Sequence, residues 1–79
     1  MRDVVAYLAR AIVDEPERVT VAELEGSRGT TYEVRAAPAD VGKLIGRNGR
    51  TVKSLRRVVK ALARRDGQRA EVEVLGEDE

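Results

Sequence analysis

The chain has no cysteine and no histidine among its 79 residues. A zinc or iron–sulfur site of the ordinary kind, a disulfide framework and imidazole acid–base chemistry are therefore excluded. Phenylalanine and tryptophan are also missing, and the aromatic inventory is Tyr7 and Tyr32. That argues against nucleic-acid folds that stack bases on a platform of exposed rings. No apolar run is long enough to span a bilayer, and the start lacks the charged-then-apolar pattern of a signal peptide, so a cytoplasmic location with no membrane partner is the default expectation. The length suits one small domain, residues 1–79, with no room for a second core.

Acidic residues are absent from one long stretch. Between Lys43 and Arg65 there are nine basic side chains and no acidic one, whereas the rest of the chain carries six basic and fourteen acidic. A net charge of +1 hides this polarity. A chain divided in this way can turn a positive face to a polyanion while its other surfaces repel one. A merely solvated helix face usually mixes glutamates in at i,i+4 spacing, and none are present here.

Periodicity gives the element order. Val4, Val5, Leu8, Ala11 and Ile12 form a helical stripe from Asp3 to about Val13, and Pro16 is expected to stop that helix. Val19–Glu25 reads as a strand closed by the turn Gly26-Ser27-Arg28-Gly29. Its alternation is imperfect, which a bulge or burial on both faces would explain. Thr30–Ala37 alternates cleanly, with Tyr32, Val34 and Ala36 inward and Thr31, Glu33 and Arg35 outward. Pro38-Ala39-Asp40 then opens a short helix with Asp40 as its expected N-cap. Val41, Leu44 and Ile45 make an apolar patch on that helix. After Gly46-Arg47-Asn48-Gly49, the residues Val52, Leu55, Val59, Leu62 and Ala63 carry a second stripe to about Arg65. Asp66-Gly67-Gln68 turns the chain into a third strand, Ala70–Val74, and Gly76–Glu79 is expected to be a frayed acidic tail. The fold class is α+β in the order α-β-β-α-α-β. Three helices should cover one face of a three-stranded mixed sheet, whose last two strands are parallel through a right-handed crossover.

The chemistry concentrates at Gly46–Gly49. Two glycines three apart allow a sharp turn and close approach by a ligand, and the N-terminus of the following helix favours an anion. A Walker loop is excluded, because Leu44 and Arg50 stand where its first glycine and its lysine should be. The dinucleotide fingerprint is missing too. Ser27 and Ser54 have no histidine to activate them, so an enzyme is not expected, and no cofactor or metal is called for.

The tetrapeptide in its setting, Ile45-Gly46-Arg47-Asn48-Gly49-Arg50-Thr51-Val52, resembles the KH pattern Ile-Gly-x-x-Gly-x-x-Ile/Val. The element order matches the type II arrangement. Leu8-Ala9-Arg10-Ala11-Ile12-Val13-Asp14-Glu15-Pro16-Glu17-Arg18-Val19, together with Asp40-Val41-Gly42-Lys43-Leu44-Ile45-Gly46, is similar to the small bacterial single-KH proteins of the KhpA family. Similarity runs from about Val4 to Val74. It implies binding of single-stranded RNA, with the loop gripping the backbone of about four nucleotides. On that reading Gly46 and Gly49 give backbone approach, Arg47 and Asn48 meet the phosphates, and Lys43, Arg50 and Lys53 neutralise charge nearby. Arg47 keeps the basic residue common at the first loop position, while Asn48 stands where glutamine is more usual. The implied base groove is aliphatic, between the helix pair and the second strand, with Val41, Leu44, Ile45, Val52 and Val34 as its candidate lining. Ile45 and Val52 read equally well as core.

The resemblance further implies an RNA chaperone or post-transcriptional role, a second KH partner of the KhpB (Jag) type, and a link in some bacteria to cell elongation and envelope homeostasis. Arg56, Arg57, Lys60, Arg64 and Arg65 can be a solvated face, a partner contact or an RNA contact. Val58 and Ala61, off the main stripe, offer a small interface for a homodimer. Two other functions use the same residues. In a helix-turn-helix DNA binder, Arg50–Arg65 would be the recognition helix, although two glycines in the turn and strands in place of a third helix count against it. In a protein-interaction module, the basic helix would meet an acidic partner.

Overall fold

A computed structural model describes residues 1–77. Helix α1 spans Arg2–Ile12, and strands β1 (Thr20–Gly26) and β2 (Gly29–Ala36) form a hairpin. Helices α2 (Pro38–Ile45) and α3 (Arg50–Arg65) follow, and strand β3 (Ala70–Gly76) closes the fold. The sheet order is β1-β2-β3, antiparallel then parallel, which gives the type II KH arrangement expected from the sequence. The α2–α3 segment is the crossover between the two parallel strands. All three helices lie on one face.

Between helices and sheet is an aliphatic core centred on Val5, Val19, Val34, Leu44, Val59 and Val72, each almost completely buried. Burying a side chain such as Leu44 contributes roughly 1.5–3 kcal/mol. Central strand β2 alternates as read, with Tyr32, Val34 and Ala36 inward. Helix α3 buries Val52, Leu55, Val59 and Ala63, the expected stripe.

Five local expectations are corrected. The α1 stripe is rotated: Val4 and Ala11 are exposed, and Ala6 and Ala9 are buried instead, where small side chains let the helix sit close to the sheet. Helix α1 also ends at Ile12, before Pro16, and that proline instead opens a short 3₁₀ turn, Pro16–Arg18. Strand β1 has neither a bulge nor two buried faces. Its register with β2 is unbroken from Thr20–Arg35 to Gly26–Gly29, and only Val21 is even half-buried, so this is an exposed edge strand. Finally, Gly76 belongs to β3 and the Glu77 amide donates to Ala36 O at 2.9 Å, so the acidic tail is tied to the sheet at its start. The rest of that expected tail, Asp78 and Glu79, lies outside the described residues.

Asp40 is the fifth and most informative correction. Helix α2 begins two residues earlier, at Pro38, whose fixed φ suits the first helical position, and no side chain caps it. Asp40, only 2 % exposed, accepts the amides of Asp14 and Glu15 at 3.2 and 3.0 Å. The carboxylate therefore satisfies donors freed where α1 ends, and binds that turn to the start of α2.

Candidate nucleic-acid interface

Helix α2 stops because Gly46 takes φ 76° and ψ 170°, a conformation essentially closed to residues with a Cβ. A Cβ there would lie 2.2 Å from Thr51 Oγ1 and 2.8 Å from Thr51 N, so the chain doubles back directly against Gly46. Asn48 (φ 56°) and Gly49 (φ 73°) follow in the left-handed region. Asparagine is among the few non-glycine residues that accept this conformation at low cost, so it suits the backbone at this position. The Gly46 amide bonds Gly42 O at 2.8 Å, and the Gly49 amide bonds Gly46 O at 3.0 Å.

These bonds fix the loop and decide which amides it offers. The amide of Arg50 returns to Arg47 O, so the first residue of α3 does not present a free donor, contrary to the simple picture of an open helix end. Among the described residues, the amides of Arg47 and Asn48 have no backbone acceptor, and both residues are exposed. No side chain caps α3. Gly49 faces open space, with Lys53 Cε as the nearest neighbour of a Cβ built there, at 4.0 Å.

The charged side chains divide. Arg47, Arg50 and Lys53 are exposed around the loop and have no acidic partner among the described residues. Lys43 is hydrogen-bonded to the Asp14 carboxylate. That bond raises its pKa, with some opposition from burial and some help from the charges of Asp14 and Asp40. Lys43 is thus held toward α1 until a stronger anion competes for it.

The five groove candidates also divide. Val34 and Leu44 are fully buried and Val52 nearly so, which makes them core support behind the surface. Val41 is half-buried and Ile45 is 39 % exposed, and these two present apolar surface. The strand beside α2 at the edge of the molecule is β3, not β2: Val41 Cγ2 lies 3.9 Å from the position of a Cβ on Gly76. Sequence reading missed this because the helix pair follows β2 in the chain, whereas the crossover carries it over β3.

The family model described as KhpA/KhpB, KH domain, matches residues 2–74. The chain belongs to this KH family. Several relatives match over nearly their full length. The RNA-binding protein KhpA of Chlamydia trachomatis is 36 % identical over 77 residues, covering 98 % of this chain and 99 % of the relative. The KhpA of Clostridium perfringens is 39 % identical over 75 residues, covering 95 % and 100 %. That of Aquifex aeolicus is 37 % identical over 75 residues, covering 95 % of each. No described helix is long and apolar enough to cross a membrane, and no described group of acidic side chains could hold a metal ion. Within the KhpA/KhpB frame, the residues at Gly46–Gly49 form the glycine loop between the paired helices.

Proposed function

We propose that this chain binds single-stranded RNA, with the Gly46–Gly49 loop clamping the sugar–phosphate backbone of about four nucleotides. The observation that carries the reading is the loop itself. Two donor amides and two side chains, those of Arg47 and Asn48, project from a backbone held by internal hydrogen bonds, with Arg50 and Lys53 beside it. Phosphate oxygens accept from such donors, and the surrounding cations release counterions when a polyanion replaces them. The relatives named as RNA-binding proteins support the same ligand. Bases would then rest on Val41 and Ile45 beside β3, through aliphatic contact and hydrogen bonds in place of ring stacking. The protein works by binding and not by catalysis.

One clamp of this size binds weakly, so tight association calls for a second KH module in the same complex. A KH protein of the KhpB (Jag) type would supply it, as would a second copy of this chain through the exposed Val58 and Ala61 of α3. Light scattering over a concentration series, with and without such a protein, separates the two. Cytoplasmic action as an RNA chaperone or regulator, with consequences for cell elongation and envelope homeostasis, completes the reading.

The deciding experiment replaces Arg47 and Asn48 together by aspartate. Both sites are exposed and aspartate tolerates the left-handed region, so folding is retained. Binding of labelled single-stranded RNA should be almost abolished while the melting temperature hardly moves. Unchanged RNA binding would overturn the clamp, and better competition by duplex DNA than by RNA would overturn the choice of ligand.

A further inference from the structure

The basic residues of α3 do not end at the loop. Lys53, Arg56, Lys60 and Arg64 recur at three- and four-residue spacing, which places them along one flank of the helix. That flank faces the free edge of β3: Arg56 Nε donates to Val72 O at 3.1 Å, and Lys60 pairs with Glu71 at 2.8 Å. The row runs into a cleft of about 220 Å³ at the far end of the helix, lined by Lys60, Arg64, Gln68, Arg69 and Glu71. From Arg50 to Arg64 is roughly 20 Å along the helix axis.

The floor of this cleft is fixed. Asp66 and Gln68 donate their amides to Ala63 O at 3.0 and 2.9 Å, Gly67 donates to Arg64 O at 3.0 Å, and Arg69 O accepts from Thr30 N at 3.0 Å. Glu71 is the one carboxylate lining it and is already engaged by Lys60. Arg64 and Arg69 are exposed with no ionic partner among the described residues. The negative end of the helix dipole accounts for a basic residue at Arg64 but not at Arg69, which lies beyond the helix.

We infer that this cleft is a second phosphate-binding site, engaging the backbone of an RNA longer than the four-nucleotide clamp can hold. The inference rests on the clamp reading, since continuity of the basic flank with the glycine loop is what makes a single RNA the occupant. Arg64 and Arg69 contact its phosphates, Lys60 joins them once an anion competes with Glu71, and Arg56, bonded to the strand, holds helix and edge together.

The test uses the variant R64Q/R69Q and labelled oligouridylates of about five and about twelve nucleotides, lengths within the range of small single-strand sites. For wild type, the longer RNA should bind more tightly. In the variant its affinity should fall by on the order of twentyfold at 0.1 M salt, and the slope of log K against log salt should shrink by about 1.4, as two lost phosphate contacts require. The shorter RNA should be unaffected. Equal behaviour of variant and wild type on both lengths would overturn the second site, as would a parallel loss on both. Displacement of the longer RNA from the cleft by a polyglutamate peptide at matched charge would overturn RNA as its ligand. The two readings fail separately. If the short RNA depends on Arg47 and Asn48 and neither length responds to R64Q/R69Q, the clamp stands and the cleft falls. If the long RNA responds to R64Q/R69Q and ignores Arg47 and Asn48, the clamp falls.

Discussion

The two loop glycines should respond very differently to alanine. At Gly46 the new methyl would meet Thr51 Oγ1 at 2.2 Å, Thr51 Cβ at 2.7 Å and Thr51 N at 2.8 Å. Rotating the threonine removes only the first contact, because the other two belong to the backbone and its first carbon. The backbone conformation itself, φ 76° with ψ 170°, adds strain of about 1–3 kcal/mol for alanine. Overpacking adds about 1–3 kcal/mol more. A total of roughly 2–6 kcal/mol is a large part of the 5–15 kcal/mol that holds an ordinary domain together. At Gly49 the conformation is left-handed helical (φ 73°, ψ 16°) and the space is open, so alanine costs only about 1–2 kcal/mol.

For a domain of this size, about 4–8 °C of melting temperature corresponds to each kcal/mol. Thermal unfolding by circular dichroism should therefore place G46A at least ~8 °C below wild type and G49A about 4–16 °C below, with G46A the lower of the two. Adding T51A to G46A removes the closest contact and should recover a minor part of the loss. G49A, still folded, should bind RNA less well than its stability explains, because its methyl occupies the open side of the loop. G46A melting with wild type, or G49A proving the more damaging, would refute the placement of Thr51 against Gly46.

Three further outcomes follow from particular contacts. D40A leaves the Asp14 and Glu15 amides without their acceptor and should cost about 2–4 kcal/mol in urea unfolding, with D40N intermediate because it keeps one acceptor oxygen. D14N releases Lys43, so the salt dependence of RNA binding should steepen by about 0.7 if Lys43 then meets a phosphate, while an unchanged slope would remove Lys43 from the interface. Burial first, then the charges of Glu23 and Glu25, raise the pKa of Tyr32, and the Asp14 bond raises that of Lys43. Both folded values lie above the unfolded ones, so this stabilisation is complete below about pH 10 and is lost as pH rises through the folded values. Tyrosinate absorbance of a Y7F variant should show a midpoint above 10, and a midpoint at or below 10 would contradict the burial of Tyr32.

The fold was legible wherever a local pattern and a tertiary need agree. The α2–loop–α3 unit is written as two stripes separated by glycines, and β2 as strict alternation, because each has a single buried face. What escaped is non-local. Asp40 looks like a cap to any rule that reads its neighbours, yet its partners are the amides of residues 14 and 15, brought near only by the packed α1 and α2. Apolar periodicity identifies a face but not a depth, so Val34 and Leu44 stand among the groove candidates although both are wholly buried. The β1 pattern was ambiguous because an edge strand with one half-buried residue has little to encode. Asn48 carries a signal that is read through φ: asparagine is enriched at left-handed positions, and this one is left-handed.

The sheet's outer face explains why so strong a basic segment leaves the net charge near zero. Glu33 and Glu73 are paired in register on β2 and β3, an arrangement that costs about 0.2–1 kcal/mol relative to neutral neighbours, and Arg35, 3.6 Å from Glu33, offsets only part of it. Glu71 stands on the same strand face. An RNA approaching from that side meets a negative surface, whereas the glycine loop and α3 present Arg47, Arg50, Lys53 and Arg64, which have no acidic partner among the described residues. On the proposed RNA-binding reading, such a field would orient the encounter before any contact forms, weakening beyond about 8–10 Å at physiological salt. Replacing Glu33 and Glu73 by glutamine would relieve the repulsion across the ladder and stabilise the sheet slightly. It would also admit RNA to the wrong face, raising non-specific binding that survives the Arg47 and Asn48 substitutions. If no such residual binding emerged, the acidic face would have no part in steering, and the helical cations alone would account for where the RNA lies.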